Sequence, residues 1–208
     1  MALLFWAILP VFSIWAGLAL WVQFPQARGL MLALLAALLA LVVWQRLSGG
    51  WGWTGLAVLM AVTLGWFFSL APRQDRDWAD DVSRIVQGRV DGDLVHLENI
   101  RNFRWSGPET ATQEQWISRT LDLSALQGVD VITSVWGNPD IAHVLISFRF
   151  TGADPLTFSV EIRREKGESF STVGGFFRQF ELALIAAEEA DIVQWRAVPR
   201  AEEVRLYP

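Results

Sequence analysis

Residues 141–168 read IAHVLISFRFTGADPLTFSVEIRREKGE. From Val144 to Phe150 apolar and polar side chains alternate, and the alternation resumes at Phe158, Val160 and Ile162 after a break at Gly152, Asp154 and Pro155. That pattern predicts two β-strands joined by a short loop. Successive strand side chains point to opposite faces, so Val144, Ile146, Phe148 and Phe150 are expected to meet a core together with Phe158, Val160 and Ile162. The other face then gathers His143, Leu145, Ser147, Arg149, Thr157, Ser159, Glu161 and Arg163. In any in-phase register Glu161 or Arg163 lies within about two positions of His143, within reach of a long side chain. A histidine titrates near neutrality, and a neighbouring carboxylate fixes its tautomer and stabilises its cation. His143, Glu161 and Arg163 are therefore the candidate catalytic residues, with no nucleophile beside them. A solvated sheet face with cross-strand charge pairs is the plainer reading of the same residues.

Hydrophobicity is spread very unevenly along the 208 residues. Residues 1–72 hold two charged side chains, Arg28 and Arg46, while the remainder carries 15 of the 17 basic residues and all 22 acids, a formal −7. No basic stripe is present to neutralise phosphates, which argues against a nucleic-acid partner. The absence of cysteine removes disulfides, thiolate metal sites and thiol nucleophiles from these residues. Two histidines, His96 and His143, without an HExxH spacing make no metal site, and no cofactor motif occurs.

Three apolar runs, 3–24, 29–45 and 51–71, are each long enough or nearly so to cross a bilayer, which takes about 20 helical residues. They are separated by Pro25-Gln26-Ala27-Arg28 and by Arg46-Leu47-Ser48-Gly49-Gly50, which mark the turns and hold both arginines. Seven of the twelve tryptophans lie here, with Trp21, Trp44, Trp51, Trp53 and Trp66 near run ends, where interfacial anchors belong. A cleaved signal peptide would start with a basic segment and lead into a soluble chain, and neither holds. The lipid bilayer is thus the first expected partner. Arg73, Arg76 and Arg84 would place the following domain in the cytoplasm by the positive-inside rule.

Beyond a charged linker at 73–81, residues 82–208 are expected to fold as one α+β domain that is mainly antiparallel β. A hairpin is expected at 85–90 and 94–97 around Asp91-Gly92. Residues 106–114 read as a polar loop, and 117–123 and 129–136 as strands. Residues 169–175 read as a loop, 176–189 fit either helix or strand, and 204–207 read as a last short strand. Arg101 and Glu181 join Ser147 and Ser159 as candidate binding residues: Arg101 for an anion, Glu181 as an acid in an apolar element that needs a partner if buried.

Several blocks carry a family resemblance. They are Gly92-Asp93 with Asn99-Ile100-Arg101-Asn102-Phe103; Ala142-His143-Val144-Leu145-Ile146-Ser147-Phe148; the run Phe158 to Glu168; and Phe177-Arg178-Gln179-Phe180-Glu181-Leu182. Over about residues 78–208 the chain resembles the Lnb N-terminal periplasmic domain family. The resemblance implies a periplasmic domain of permuted papain-like (NlpC-type) character in the bacterial inner membrane, and it outweighs the arginine count. It implies acyl transfer to the amino-terminal cysteine of lipoproteins, with an acyl lipid or a lipoprotein as substrate. It places the family histidine at His143. The family cysteine, in an Asn-Cys segment after the Leu-Tyr-Pro region, has no counterpart here. Two readings of that remain open, a fragment of a longer chain or a shortened member. Two function classes follow: an acyltransferase or hydrolase whose thiol comes from elsewhere, and a non-catalytic binding or assembly module of the envelope. A serine enzyme using Ser147 or Ser159 lacks the nucleophile-elbow motif.

Overall fold

In the computed structural model, which describes residues 2–208, the chain forms two compact units. One comprises the amino-terminal helices to Asp75 together with Ser169–Glu181; the other comprises Arg76–Glu168 and Leu182–Pro208.

In the first unit, α1 (Ala2–Gln23), α2 (Arg28–Leu47) and α3 (Gly52–Ser69) match the three apolar runs. All three are long and apolar enough to cross a membrane. They pack through Phe5, Phe12, Ala16, Leu35, Val42 and Leu56, while Leu3, Val11, Ile14, Leu30 and Val62 point outward. Helices apolar all round are what lipid demands, because no water is there to solvate a polar face.

The second unit is built on an eight-stranded sheet, ordered β1 (Gln87–Asp91), β2 (Leu94–Arg101), β9 (Glu181–Glu188), β8 (Ala153–Arg163), β7 (Ala142–Phe150), β6 (Leu126–Val135) and β10 (Glu203–Tyr207), with β5 (Trp116–Asp122) on β2. β2 pairs with β9 in parallel, whereas β1 with β2, β2 with β5, β6 with β7, β7 with β8 and β6 with β10 run antiparallel. Both expected hairpins form, and each turns through a glycine at positive φ, Gly92 (+60°) and Gly152 (+74°), a conformation that a Cβ disfavours. The expected polar loop at 106–114 is instead a small hairpin of β3 (Arg104–Gly107) and β4 (Thr110–Gln113). A short helix α4 (Thr172–Phe176) precedes β9, which resolves 176–189 largely as strand. The helix α5 (Glu189–Ala197) has no counterpart in the expected pattern.

The sheet corrects the expected choice of core face. Val144 and Val160, assigned to the interior, are 52% and 53% exposed, whereas Ser147 and Ser159 on the opposite face are 0% and 2% exposed. The predicted core face is buried only at one end, where Leu156, Phe150 and Phe158 meet Leu97, Ile100 and Leu121. The polar face is covered because α5 lies across it: Ile192 packs with Ile132, Leu145, Ala183, Ile185 and Ala187. Arg101 is likewise inside, 1% exposed, neither an exposed strand arginine nor one open to an anion.

Candidate functional site

The register of the β7–β8 hairpin pairs Leu145 with Ser159 and Ser147 with Thr157. Continued two residues, that register sets His143 opposite Glu161. The His143 Nε2 stands 2.7 Å from Ser159 Oγ and 3.3 Å from Glu161 Oε1. The Ser159 hydroxyl donates to the same Glu161 oxygen at 2.6 Å. Since that hydroxyl proton is committed to Glu161, the consistent tautomer puts the imidazole proton on Nε2, donating to Ser159 and Glu161 together. The Nδ1 atom takes no hydrogen bond among the described residues, and the His143 side chain keeps 20% of its surface exposed.

Glu161 is held from behind by α5. Arg196 Nη2 donates to Glu161 Oε1 at 2.7 Å, and its Nη1 lies 3.3 Å from Glu202 Oε2. Glu202 also accepts from the Ser134 hydroxyl of β6 and pairs with Arg200 at 2.5 Å. The result is a continuous polar chain through the interior, from β6 by way of Glu202, Arg196 and Glu161 to the imidazole. Burial by itself would raise the Glu161 carboxyl. The hydrogen bond from His143, the Arg196 charge, the His143 charge and the Ser159 hydroxyl outweigh it and hold the group well below the usual carboxylate range. Glu161 is therefore an anion at neutral pH, suited to fix the ring and to stabilise an imidazolium. Trp136 lies beside the histidine, ring centroids 6.3 Å apart, with the Arg200 guanidinium 5.8 Å over its indole.

The other sequence candidates go elsewhere. Arg163 lies on the same face but donates to the backbone carbonyls of Val82 and Ser83, with its guanidinium 4.4 Å over the Trp78 ring. It does not contact the imidazole. Arg101 forms a two-pronged pair with Asp191, 2.9 and 3.1 Å, and donates to Asp81 O. Ser147, fully buried, donates to Glu189 and accepts from Thr157. Glu181 accepts from the Arg73 backbone N–H, in the unit of the helices. Ser159 is a link between ring and carboxylate, and at 2% exposure it offers no access as a nucleophile.

Sequence reasoning missed Arg196, Glu202 and Asp191. A signal for the first and last was present. Asp191, Ile192, Trp195 and Arg196 fall at i, i+1, i+4 and i+5, one stripe of a helix, and all four are buried. Half of that stripe is charged, so a search for apolar periodicity passes over it. No group of histidines and carboxylates suited to a metal occurs among the described residues.

Residues 112–208 match the model of the Lnb N-terminal periplasmic domain family. The match begins at β4 and takes in the whole histidine hairpin, α5 and β10; the resemblance upstream, over β1 and β2, lies outside it. No curated protein and no solved structure gives a match. Residues 112–208 are thus similar to a periplasmic domain family, in a chain whose amino-terminal part holds three helices long and apolar enough to cross a membrane.

Proposed function

We propose that this domain presents the histidine half of an acyl-transfer site at the outer face of the bacterial inner membrane. The observation that carries the reading is the way His143 is held, with Nε2 against Ser159 and Glu161 and no hydrogen bond to Nδ1 among the described residues. That is a general base oriented by a third group. The nucleophile in this proposal is a cysteine thiol from outside these 208 residues, in the permuted papain-like order with the histidine strand first. His143 Nδ1 takes the thiol proton as sulfur attacks the ester carbonyl of an acyl lipid. The carbon–oxygen bond to the lipid breaks, the departing alkoxide takes the proton back from the imidazole, and the acyl chain stays on sulfur. An amine, such as the amino terminus of a lipoprotein, then accepts the acyl chain and frees the thiol. Glu161 stabilises the transient imidazolium, and Arg196 keeps Glu161 ionised.

The buried run of Ser134, Glu202, Arg196 and Glu161 favours a second reading, a non-catalytic envelope module whose polar chain serves only the fold. One experiment separates the two: transfer of a labelled acyl chain from phospholipid to lipoprotein amino termini, in membranes carrying the wild-type or variant chain at equal level. With His143→Ala we expect a loss of about 100-fold or more, the usual contribution of a positioned base. Ser159→Ala, which removes only the link, is expected to cost less. Transfer undiminished in a folded His143→Ala chain supports the module instead.

A further inference from the structure

The chain leaves β8, and before it enters β9 it passes through Ser169–Glu181, a segment that folds with the helices rather than with the sheet. Of its side chains only Arg178 and Glu181 are charged, and four are phenylalanine. Phe177, 4% exposed, packs with Ala19 and Phe67, its ring centroid 6.2 Å from Trp15 and 6.3 Å from Phe67. Trp15 precedes the α1 end at Gln23 by a depth of about 12 Å, and Phe67 precedes the α3 end by about 3 Å. The Phe177 ring therefore reaches below the helix ends, into the depth of the spans.

Irregular backbone at that depth is tolerated only where its polar groups find partners. They do. Gln23 Nε2 donates to the carbonyls of Phe177 and Arg178 at 2.6 and 3.0 Å. Arg178, at φ +59°, donates to Phe67 O, which also accepts the Leu70 N–H, and to Leu70 O at the α3 terminus, and stacks over Phe67 and Phe68. The Ser171 hydroxyl accepts from Gly174 N and starts the turn of α4. With the backbone satisfied inward, the outward side shows Phe170, Val173 and Phe176, at 64%, 51% and 70% exposure.

We infer that Ser169–Glu181 is a membrane-embedded clasp, with Phe170, Val173 and Phe176 in the boundary between lipid headgroups and acyl chains. The occupant of that surface is lipid because it continues the outward apolar surface of α1 and α3 at the depth of their own ends. Aromatic side chains favour that layer, and the one cation of the segment, itself exposed, spends its donors on the carbonyls at the end of α3. The clasp lies in the chain between β8, a strand of the histidine hairpin, and β9, so the chain is tied to the bilayer by this loop as well as by α3.

A chain without cysteine makes the test direct. Phe170→Cys, Val173→Cys and Phe176→Cys are each spin-labelled in the full chain, reconstituted in phosphatidylethanolamine and phosphatidylglycerol vesicles. Val90→Cys on β1, 66% exposed and outside the helical unit, is the aqueous reference. All four positions are exposed, so the substitutions remove little packing. The expected result is collision with oxygen over a water-soluble nickel chelate at all three clasp positions, by a ratio about three-fold or more above that of Val90. Chelate access equal to that at Val90 overturns the inference, and so does shielding from both reagents, which would mean that protein covers the surface.

Discussion

Asp191→Ala is expected to cost about 3–5 kcal/mol, a large part of the roughly 5–15 kcal/mol that holds a domain together. Asp191 is fully buried, and its two oxygens take hydrogen bonds from Arg101 Nε and Nη2, the Phe103 backbone N–H and Trp105 Nε1. Removing it orphans a guanidinium that is 1% exposed, a backbone donor and an indole donor. It also loosens the start of α5, whose Trp195, about two turns further on, stacks on Trp105 at 4.8 Å. Urea unfolding of the full chain in detergent micelles, followed by tryptophan emission, reads the loss as a fall in midpoint. Because the cost lies in the stranded partners, Arg101→Met combined with Asp191→Leu is expected to recover part of it. A single variant within about 1 kcal/mol of wild type would contradict the account.

Arg196→Gln is expected to cost a similar amount, about 3–5 kcal/mol, and in addition to reverse a pH dependence. In the native chain the Glu161 carboxyl lies below its ordinary value of 4.5. Its contribution is therefore complete above about that pH and is lost as pH falls toward the folded value. Without Arg196 two carboxylates, Glu161 and Glu202, share an interior from which their common cation has gone. At least one is then driven above its unfolded value, and its contribution is present at low pH and lost as pH rises through the new value. Unfolding midpoints at pH 5 and pH 8 make the comparison: the variant should gain on acidification, where the Glu161 contribution in wild type does not. The same trend in both proteins would show that Arg196 is not what keeps the pair ionised. On the proposed function acyl transfer is expected to fall as well, since Glu161 holds the imidazole.

The α+β architecture was legible in the sequence because it depends on local signals. Three runs of apolar residues interrupted at Pro25 and at Gly49-Gly50 gave the helices within a few residues of their ends, and Gly92 and Gly152 marked the hairpin turns. The closeness of His143 and Glu161 was legible too, since strand alternation and a short loop leave few registers. Arg163 was not separable from Glu161 by the same argument. Both share the face and both fall within two positions, and only the carbonyls of Val82 and Ser83 decide where the guanidinium goes.

The residues by themselves fixed which side chains share a face of the hairpin, because the two-residue period of a strand allows no other grouping. They did not fix which face is inside. That choice belongs to α5, whose buried stripe pairs Ile192 and Trp195 with Asp191 and Arg196, and so covers a polar face by answering its charges. Likewise the apolar character of residues 169–181 is written in their composition, but their place among the helices follows from Gln23 and Arg178 satisfying backbone carbonyls far away in sequence. Periodicity is a property of neighbours along the chain; what covers a face is a property of partners that only folding brings together.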